Sequence, residues 1–493
     1  MRASGILMHL SSLPAPHGIG TMGQCARDFI DFLKKSGQKY WQILPVGQTS
    51  YGDSPYQSFS SFAGNPYFID LNILAEKELL ERSEFEFGNW GTNPKVVDYG
   101  LLYEKRYPLL RLAVTRFLQG NRNGFDAFCE KHADWLDDYA LFMAIKDKNG
   151  GVSWLEWNDE ERKRDVGVLE QIKWEQRDDI LFWKVIQFFF YEQWEALRTY
   201  AEENGISIIG DLPIYVALDS ADVWANPQYF QLDENLVPTK VAGCPPDGFA
   251  EGGQLWGNPL FNWDVLERDN FSWCVKRIGH ACHTYHMLRL DHFRGFESYY
   301  AIPYGAPDAR NGQWEQGPGM KLFKALEEAV GKQNIIAEDL GFLTEGVREL
   351  LKDSGFPGMK VFELGFDSRD DNGSDYLPHN LTPHSVTYTG THDNDTIQGW
   401  LSTAPAEDVE YACNYFGITN KEDGHWTMMK VLWSTVSELT VVQAQDLFGL
   451  GSESRMNRPS TLGGNWCWRA LPGMFTDELA EKLHYNMKIY GRK

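Results

Sequence analysis

The sequence contains few cysteines, and their placement argues against two common uses of this residue. The chain has 493 residues and only seven cysteines, an odd number that is widely scattered and includes no CxxC pair. A disulfide framework needs paired cysteines, and a zinc ribbon needs closely spaced ones. We therefore expect reduced thiols and a cytoplasmic location.

Long apolar runs are also lacking. The sequence has no run of eighteen apolar residues, which is about the length that a membrane-spanning helix needs. The apolar stretch at residues 5–10 is too short for the core of a signal peptide and is interrupted by His9. The sequence thus predicts neither a membrane span nor a secretion signal.

Basic residues do not cluster, and the net charge is strongly negative. Lys and Arg number 46 against 69 Asp and Glu, which gives a formal charge of -23. Nucleic acids and anionic membranes are bound through clustered Lys and Arg, so we expect neither as a partner. The acidity fits a neutral ligand such as a carbohydrate. It indicates nothing about the oligomeric state.

What the sequence does contain is a repeated pattern of a short apolar run, a turn and a stretch with helical spacing, which is typical of parallel β/α units. We predict eight strands, at residues 5–10, 40–46, 206–215, 287–293, 334–340, 358–364, 385–393 and 441–447. Helix candidates include residues 76–84, 135–146 and 179–204. The expected fold class is α/β, with one (β/α)8 TIM barrel spanning residues 1–493. A doubly wound open sheet is the alternative, but the Gly-rich phosphate turn typical of it does not follow the first strand.

Two gaps between the predicted strands are too long for simple loops. Residues 55–205 contain helix-like, acidic segments, and we interpret them as an inserted helical subdomain on the upper face of the barrel. Residues 217–286 form a second insertion, in which Gly, Pro and aromatic residues concentrate around 243–263. That composition favours an ordered loop folding over a site.

Three acidic residues, Asp291, Glu338 and Asp393, stand near the C-terminal ends of separate predicted strands. In parallel barrels the reacting groups come from these ends, because the loops there form the open face. Cleavage of a bond between sugars needs one carboxyl to protonate the departing oxygen and another to meet the charge growing at the anomeric carbon. Each acid alone could equally cap the following helix, but three together favour catalysis.

The environments that these acids need differ. Arg289 alternates with Asp291 along the strand and would keep it ionised, whereas Glu338 must hold a proton and therefore needs an apolar setting. The residues thus predict a retaining glycosidase-type reaction.

Several motifs carry a resemblance to a known family. RLDHFRG, IIAEDLG and GTHDND occur in this order, and HLSSLP, GDLPIYVALDSADVW and RMNRPST extend the match over nearly the whole chain. Together they closely resemble the amylomaltases, bacterial 4-α-glucanotransferases that are distantly related to the α-amylases. The resemblance implies transfer of α-1,4-glucan segments from a donor to the 4-hydroxyl of an acceptor glucan or glucose, acting on maltooligosaccharides and glucans derived from starch or glycogen.

The same resemblance implies residue roles. Asp291 would be the nucleophile, Glu338 the general acid/base and Asp393 the stabiliser of the transition state. Expected substrate-binding residues are Tyr56, Asp211, Arg289, His392 and Asn457 around the cleaved bond, and Ser54, Gln254 and Trp256 on the acceptor side. Each has a structural alternative; His392 could be a core histidine, and Trp256 could serve packing alone.

Rival functions remain open at this stage. A hydrolase of the same fold would use the same carboxylates, and a non-catalytic glucan-binding protein could keep the barrel, although all three acids are retained here. His280, His283 and His286 are three residues apart and suggest a metal site, but no further ligand lies at suitable spacing. We expect neither a metal nor a cofactor.

Overall fold

The computed structural model describes residues 2–50, 52–246, 251–341, 343–368 and 373–492. Within these residues the strands are β1 (Ala3–Leu7), β2 (Tyr40–Gln42), β3 (Ser207–Leu212), β4 (Lys240–Cys244), β5 (Gln254–Pro259), β6 (Met287–Leu290), β7 (Ser298–Pro303), β8 (Gln313–Gln316), β9 (Ile335–Ala337), β10 (Gly358–Val361), β11 (Ser385–Tyr388) and β12 (Leu439–Gln443). No helix in the described part of the chain is long and apolar enough to cross a membrane.

Eight of the strands close into a parallel barrel in the order β1-β12-β11-β10-β9-β6-β3-β2. The expected (β/α)8 TIM barrel is therefore confirmed, and each of the eight predicted strands contributes to it. The strands are shorter than predicted at their C-terminal ends, because the chain turns into the loops of the open face. The strand predicted for residues 385–393 ends at Tyr388, so Asp393 lies in the following turn.

Helices surround the barrel and fill the insertion between β2 and β3. They are α1 (Gln24–Lys35), α2 (Leu71–Glu76), α3 (Tyr99–Gln119), α4 (Phe125–Lys148), α5 (Asp159–Arg162), α6 (Val166–Glu175), α7 (Arg177–Glu203), α8 (Ala221–Ala225), α9 (Trp263–Arg268), α10 (Ser272–Thr284), α11 (Met320–Val330), α12 (Glu345–Ser354), α13 (Ile397–Thr403), α14 (Ala406–Phe416), α15 (Gly424–Ser434), α16 (Ala444–Leu447) and α17 (Asp477–Ile489).

The helix predicted at residues 76–84 was wrong, whereas those at 135–146 and 179–204 lie within α4 and α7. The chain leaves α2 after Glu76 because Glu78 takes a left-handed conformation with φ of 60°. The Leu79 N–H then bonds to the carbonyl of Leu74, which closes the helix end.

The second insertion contains strands where the sequence suggested only an ordered loop. β4 and β5 pair antiparallel, and with β7 and β8 they form a separate sheet in the order β5-β4-β7-β8. Residues 247–250 of the predicted loop at 243–263 lie outside the described residues. Short-range composition does not reveal this sheet, because β7 and β8 come from a different part of the chain.

Helix α7 joins the first insertion to the barrel through two buried glutamines. Gln187 accepts a hydrogen bond from the Gly64 N–H (2.7 Å) and donates to the Gly64 carbonyl (3.0 Å). Gln193 makes the same pair of contacts with Asp70, at 2.7 and 3.3 Å. Because a side-chain amide offers one acceptor and one donor to the backbone N–H and C=O of a single residue, both glutamines are satisfied without water. The segment that follows Tyr56 is thereby fixed to the barrel wall.

Glycine is required where α10 leads into β6. A Cβ atom at Gly210 of β3 would lie 2.1 Å from the ring of Tyr285, which is itself buried. Close approach of this ring to the strand therefore needs a residue without a side chain.

The lower end of the barrel is held by Arg492, which is 2% exposed. Its guanidinium donates to the carbonyls of Trp433 and Ala3 (2.8 Å each) and of Ser437 and Thr435 (3.1 Å each). These carbonyls belong to the start of β1, to the last turn of α15 and to the segment between α15 and β12. One cation thus satisfies backbone groups from distant parts of the chain.

Replacing Arg492 by Ala should lower the stability by about 2–4 kcal/mol, because several buried carbonyls lose their donor and a cavity remains. Thermal unfolding followed by circular dichroism checks this. Arg177→Ala is the matched control, since its side chain is 60% exposed. Equal melting temperatures for the two variants would contradict the role of Arg492.

Candidate active site

The open face of the barrel carries a cleft of about 1230 Å³. Every residue that the sequence marked for the site lines it except Asp211, which lies beneath. The lining residues among them are Ser54, Tyr56, Gln254, Trp256, Arg289, Asp291, Glu338, His392, Asp393 and Asn457. Residues from widely separated parts of the chain therefore meet in one cleft, as the βα loops of a barrel allow.

The floor of the cleft is a buried ion cluster around Arg289. Nη1 of Arg289 donates to both carboxylate oxygens of Asp211 (2.8 Å each) and to Oδ1 of Asp291 (2.9 Å). Asp211 and Arg289 face each other because β3 and β6 pair in that register. Burial alone would lower the pKa of Arg289, but the two aspartates hold it well above its ordinary value. Asp291 is the exposed member of the cluster, with 27% of its side chain accessible from the cleft.

Glu338 stands beside Asp291 at the end of the neighbouring strand. Leu290 pairs with Ala337 between β6 and β9, so the next residues, Asp291 and Glu338, leave adjacent strands at the same level. Strands in a sheet are about 4.8 Å apart, which is close to the carboxyl spacing of roughly 5–5.5 Å that a retaining mechanism needs.

The Glu338 carboxyl accepts a hydrogen bond from the His292 N–H (2.6 Å) and a longer one from the Leu340 N–H (3.3 Å). Burial nevertheless raises the pKa of Glu338 to about 8, because it outweighs the lowering effect of Arg289, and the negative charge of Asp291 raises it further. At neutral pH this carboxyl holds a proton that it can donate.

Asp393 lies in the turn that follows β11. Its Oδ2 is 3.1 Å from Nε2 of His392, and its Oδ1 accepts a hydrogen bond from the Asn457 amide (2.6 Å). Its place in the cleft would by itself raise the pKa, but His392 and Asn457 more than offset this and lower the pKa of Asp393 to about 2. Between about pH 2 and pH 8 this carboxylate is therefore ionised while Glu338 is protonated.

Tyr56 connects the two sides of the cleft. Its hydroxyl donates to Oδ2 of Asp211 (2.9 Å), and its ring stacks on His392 with the centroids 4.9 Å apart. The hydroxyl is also 3.3 Å from Nδ1 of His392. Burial and the nearby Asp211 raise the pKa of Tyr56 well above its ordinary value, so the phenol remains neutral.

The residues expected on the acceptor side hold one another in place. The Ser54 hydroxyl accepts a hydrogen bond from the Tyr56 N–H (3.2 Å), and the Trp256 indole donates to Oε1 of Gln254 (3.0 Å). Gln254 and Trp256 lie on β5, so the separate sheet forms this wall of the cleft.

Sequence reasoning missed several residues of the cleft, and two of them contact the expected site residues directly. His292 adopts a left-handed conformation (φ 49°), presents its N–H to Glu338 and meets the edge of Trp256 at 4.9 Å. Trp466 packs against Tyr56 and His392, with centroid distances of 5.7 and 5.8 Å. The position of His292 directly after Asp291 was the available signal. The sequence offers no comparable signal for Trp466, because many tryptophans of this chain are buried in the core and the sequence does not distinguish them from one in the cleft.

Two of the three histidines that suggested a metal site have other partners. His280 Nε2 is 2.8 Å from the Tyr191 hydroxyl, while His286 accepts from the Ile208 N–H (2.9 Å) and contacts Glu202. Among the described residues, no group of three or more His, Cys, Asp or Glu side chains is arranged to hold a metal ion.

Comparison with known proteins agrees with this geometry. A family model described as 4-alpha-glucanotransferase matches residues 8–474. A 4-alpha-glucanotransferase of Clostridium butyricum is 50% identical over 98% of this chain and all of its own length. One of Thermus thermophilus is 48% identical over 98% of this chain and 97% of its own.

The solved structures include an amylomaltase from Streptococcus agalactiae in complex with acarbose, which is 42% identical and superposes with a TM-score of 0.96 over 100% of both chains. Since sequence, fold and family model agree over nearly the full length, the chain belongs to the 4-alpha-glucanotransferase family.

Proposed function

We propose that the 4-alpha-glucanotransferase activity of this chain proceeds by double displacement, with Asp291 as nucleophile and Glu338 as general acid/base. The observation that carries this proposal is the placement of two carboxyls at the same level of adjacent strands in opposite environments. Asp291 contacts a cation at 2.9 Å, whereas burial raises the pKa of Glu338 to about 8. Such a pair supplies a nucleophile held by a cation and a separate proton donor in one cleft.

In the first step, Asp291 attacks the anomeric carbon of the donor while Glu338 protonates the departing glycosidic oxygen. The bond between the two sugars breaks, and a covalent glucosyl-enzyme forms. In the second step, Glu338 removes the proton from the 4-hydroxyl of an acceptor glucan, and that oxygen displaces Asp291. The anomeric configuration is inverted twice and thus retained.

The remaining polar residues hold the sugar at the cleavage point. Asp393 stabilises the positive charge of the transition state, since it remains ionised beside His392 and Asn457. Tyr56, Asp211 and Arg289 form the rigid floor on which the ring is bound. Ser54, Gln254 and Trp256 contact the acceptor side, where an indole can cover the apolar face of a sugar. None of these steps needs a metal or a cofactor.

The substrates in this proposal are maltooligosaccharides and α-1,4-glucans derived from starch or glycogen. The S. agalactiae relative binds acarbose, and the cleft of about 1230 Å³ is large enough for several sugar rings. The proposed location is the cytoplasm, which fits the scattered cysteines.

We extend the proposal to the organisation of the chain. Residues 1–493 form one catalytic barrel, in which the insertion at 55–205 carries Tyr56 at its start. The insertion at 217–286 carries Gln254 and Trp256 and provides the acceptor wall. Both insertions thus act as parts of the cleft rather than as separate binding modules.

Maltotriose should be converted into a ladder of longer oligosaccharides together with glucose, because the acceptor side binds another glucan in place of water. Chromatography of the products over time checks this. Steady conversion to glucose and maltose without longer products would show that water is the acceptor.

Replacing Asp291 by Asn should lower kcat for transfer about a thousand-fold or more, because the amide cannot form the glucosyl-enzyme. Folding should be retained, which a circular dichroism spectrum and melting curve verify. Asp178→Asn is the matched control, since this side chain is 89% exposed. Transfer at the wild-type rate by Asp291→Asn would refute the assignment.

The kcat/KM of transfer should fall as the pH rises through about 8, since the protonated form of Glu338 is the one that donates. Glu338→Gln should lose transfer from natural glucans. It should still release fluoride from α-maltosyl fluoride in the first turnover, without that alkaline decline, because fluoride leaves without a proton. The exposed Glu349 of α12 offers the control variant Glu349→Gln. If the first-turnover rate of Glu338→Gln still declined near pH 8, the proton responsible for the decline would belong to another group.

A further inference from the structure

A tryptophan at the rim of the cleft remains outside the roles described so far. Trp314 lies on the edge strand β8, lines the cleft and is 43% exposed. An indole that is nearly half exposed inside a polar cleft offers a flat apolar surface to a ligand.

The ring is held firmly from below. Trp314 pairs with Tyr300 across β7 and β8, and the two rings are 5.2 Å apart at an angle of 63°. Tyr300 is 6% exposed, and its hydroxyl donates to the carbonyl of Ala309 (3.1 Å). A Cβ atom at Gly312 would lie 2.2 Å from the Tyr300 ring, so the chain packs closely around this support. Binding a ligand here would cost little ordering of the side chain.

Polar groups surround the indole. The guanidinium of Arg294 lies over the Trp314 ring, 3.9 Å from its centroid. Glu297 and Ser298 line the same part of the cleft, and the Ser298 hydroxyl donates to the Glu297 carboxylate (2.6 Å). The guanidinium covers one face of the indole, and the exposed remainder is an apolar surface with charged groups at its edge. Such a surface matches a pyranose ring, which has one apolar face and a rim of hydroxyls.

The chain connectivity places this group on the side of the proton donor. Arg294 follows His292, whose N–H binds the Glu338 carboxyl, and both belong to the short turn after β6. Glu297 is in contact with the backbone near Gly346, since a Cβ there would lie 2.6 Å from its Oε1. Gly346 in turn belongs to the segment that follows Glu338 and lines the cleft.

Trp314 lies on the same four-stranded sheet as Gln254 and Trp256, the residues assigned to the acceptor side, since β8 and β5 are the two edge strands of that sheet. Because the acid protonates the oxygen of the leaving chain, an acceptor that replaces this chain binds along the same sheet, and its more distant rings reach towards Trp314. We infer that Trp314, with Arg294 and Glu297, forms an acceptor-side subsite that stacks a glucosyl ring remote from the cleaved bond. This inference rests on the proposed function and adds to it a binding site that only acceptors longer than glucose reach.

The test compares two acceptors with one saturating amylose donor. Initial rates of incorporation of isotope-labelled glucose and labelled maltotriose give the ratio of their kcat/KM values. Trp314→Ala should lower the ratio of maltotriose to glucose about 3- to 10-fold, because only the longer acceptor reaches the indole. Trp314→Phe should retain most of the ratio, since a ring remains for stacking.

Trp174→Ala is the matched control. Trp174 is 71% exposed on α6, outside the cleft, and also has an arginine over its ring, Arg177 at 5.2 Å. This variant should leave the ratio unaltered.

The inference would be overturned if Trp314→Ala left the ratio of kcat/KM for maltotriose to that for glucose unaltered. A higher KM for the amylose donor without a change in this ratio would also overturn it. Equal losses in Trp314→Ala and Trp314→Phe would also overturn it, because stacking would not be the cause. The catalytic carboxylates are intact throughout, so an error in the role of Asp291 would appear in its own variant and not in this ratio.

Discussion

The contact of one buried guanidinium with two carboxylates is the constraint on which the site depends. Arg289 is 3% exposed at the mouth of a barrel whose interior is packed, where an isolated charge would be strongly unfavourable. Asp211 on the neighbouring strand accepts two hydrogen bonds from this guanidinium, and Asp291 accepts a third. The pairing register of β3 and β6 therefore determines the position of Asp291 relative to this cation. The Tyr56 hydroxyl donates to the same Asp211, so the start of the first insertion is positioned by the same ion cluster.

Glu338 and Asp393 share one cleft and yet differ in protonation because their immediate neighbours differ. Glu338 receives hydrogen bonds from two backbone N–H groups, but burial and the adjacent Asp291 dominate, and its pKa is raised. Asp393 has an imidazole and an amide on its two oxygens, and its pKa is lowered. The difference comes from loops rather than strands, since His392, Asp393 and Asn457 all lie beyond strand ends. The barrel provides positions, and the loops provide the electrostatic environment.

Much of the barrel was predictable because its signals are local. Each strand is a short apolar run followed by a turn, so all eight could be found from the sequence, and the acids were expected near the strand ends. Contacts between distant segments were not predictable from these patterns. The sheet of β4, β5, β7 and β8 joins segments more than forty residues apart, and its members have no strong alternation of their own. The role of the His292 N–H depends on a left-handed backbone conformation that composition does not reveal.

The two glutamines of α7 have a consequence for how this enzyme could diversify or be redesigned. Gln187 and Gln193 bind peptide N–H and carbonyl groups of Gly64 and Asp70, so the anchor recognises backbone, although Gly64 itself has no room for a side chain beside Phe190. The partly exposed residues between Tyr56 and this anchor can therefore be exchanged without loss of the attachment. Such side chains can change while the scaffold that presents them stays in place.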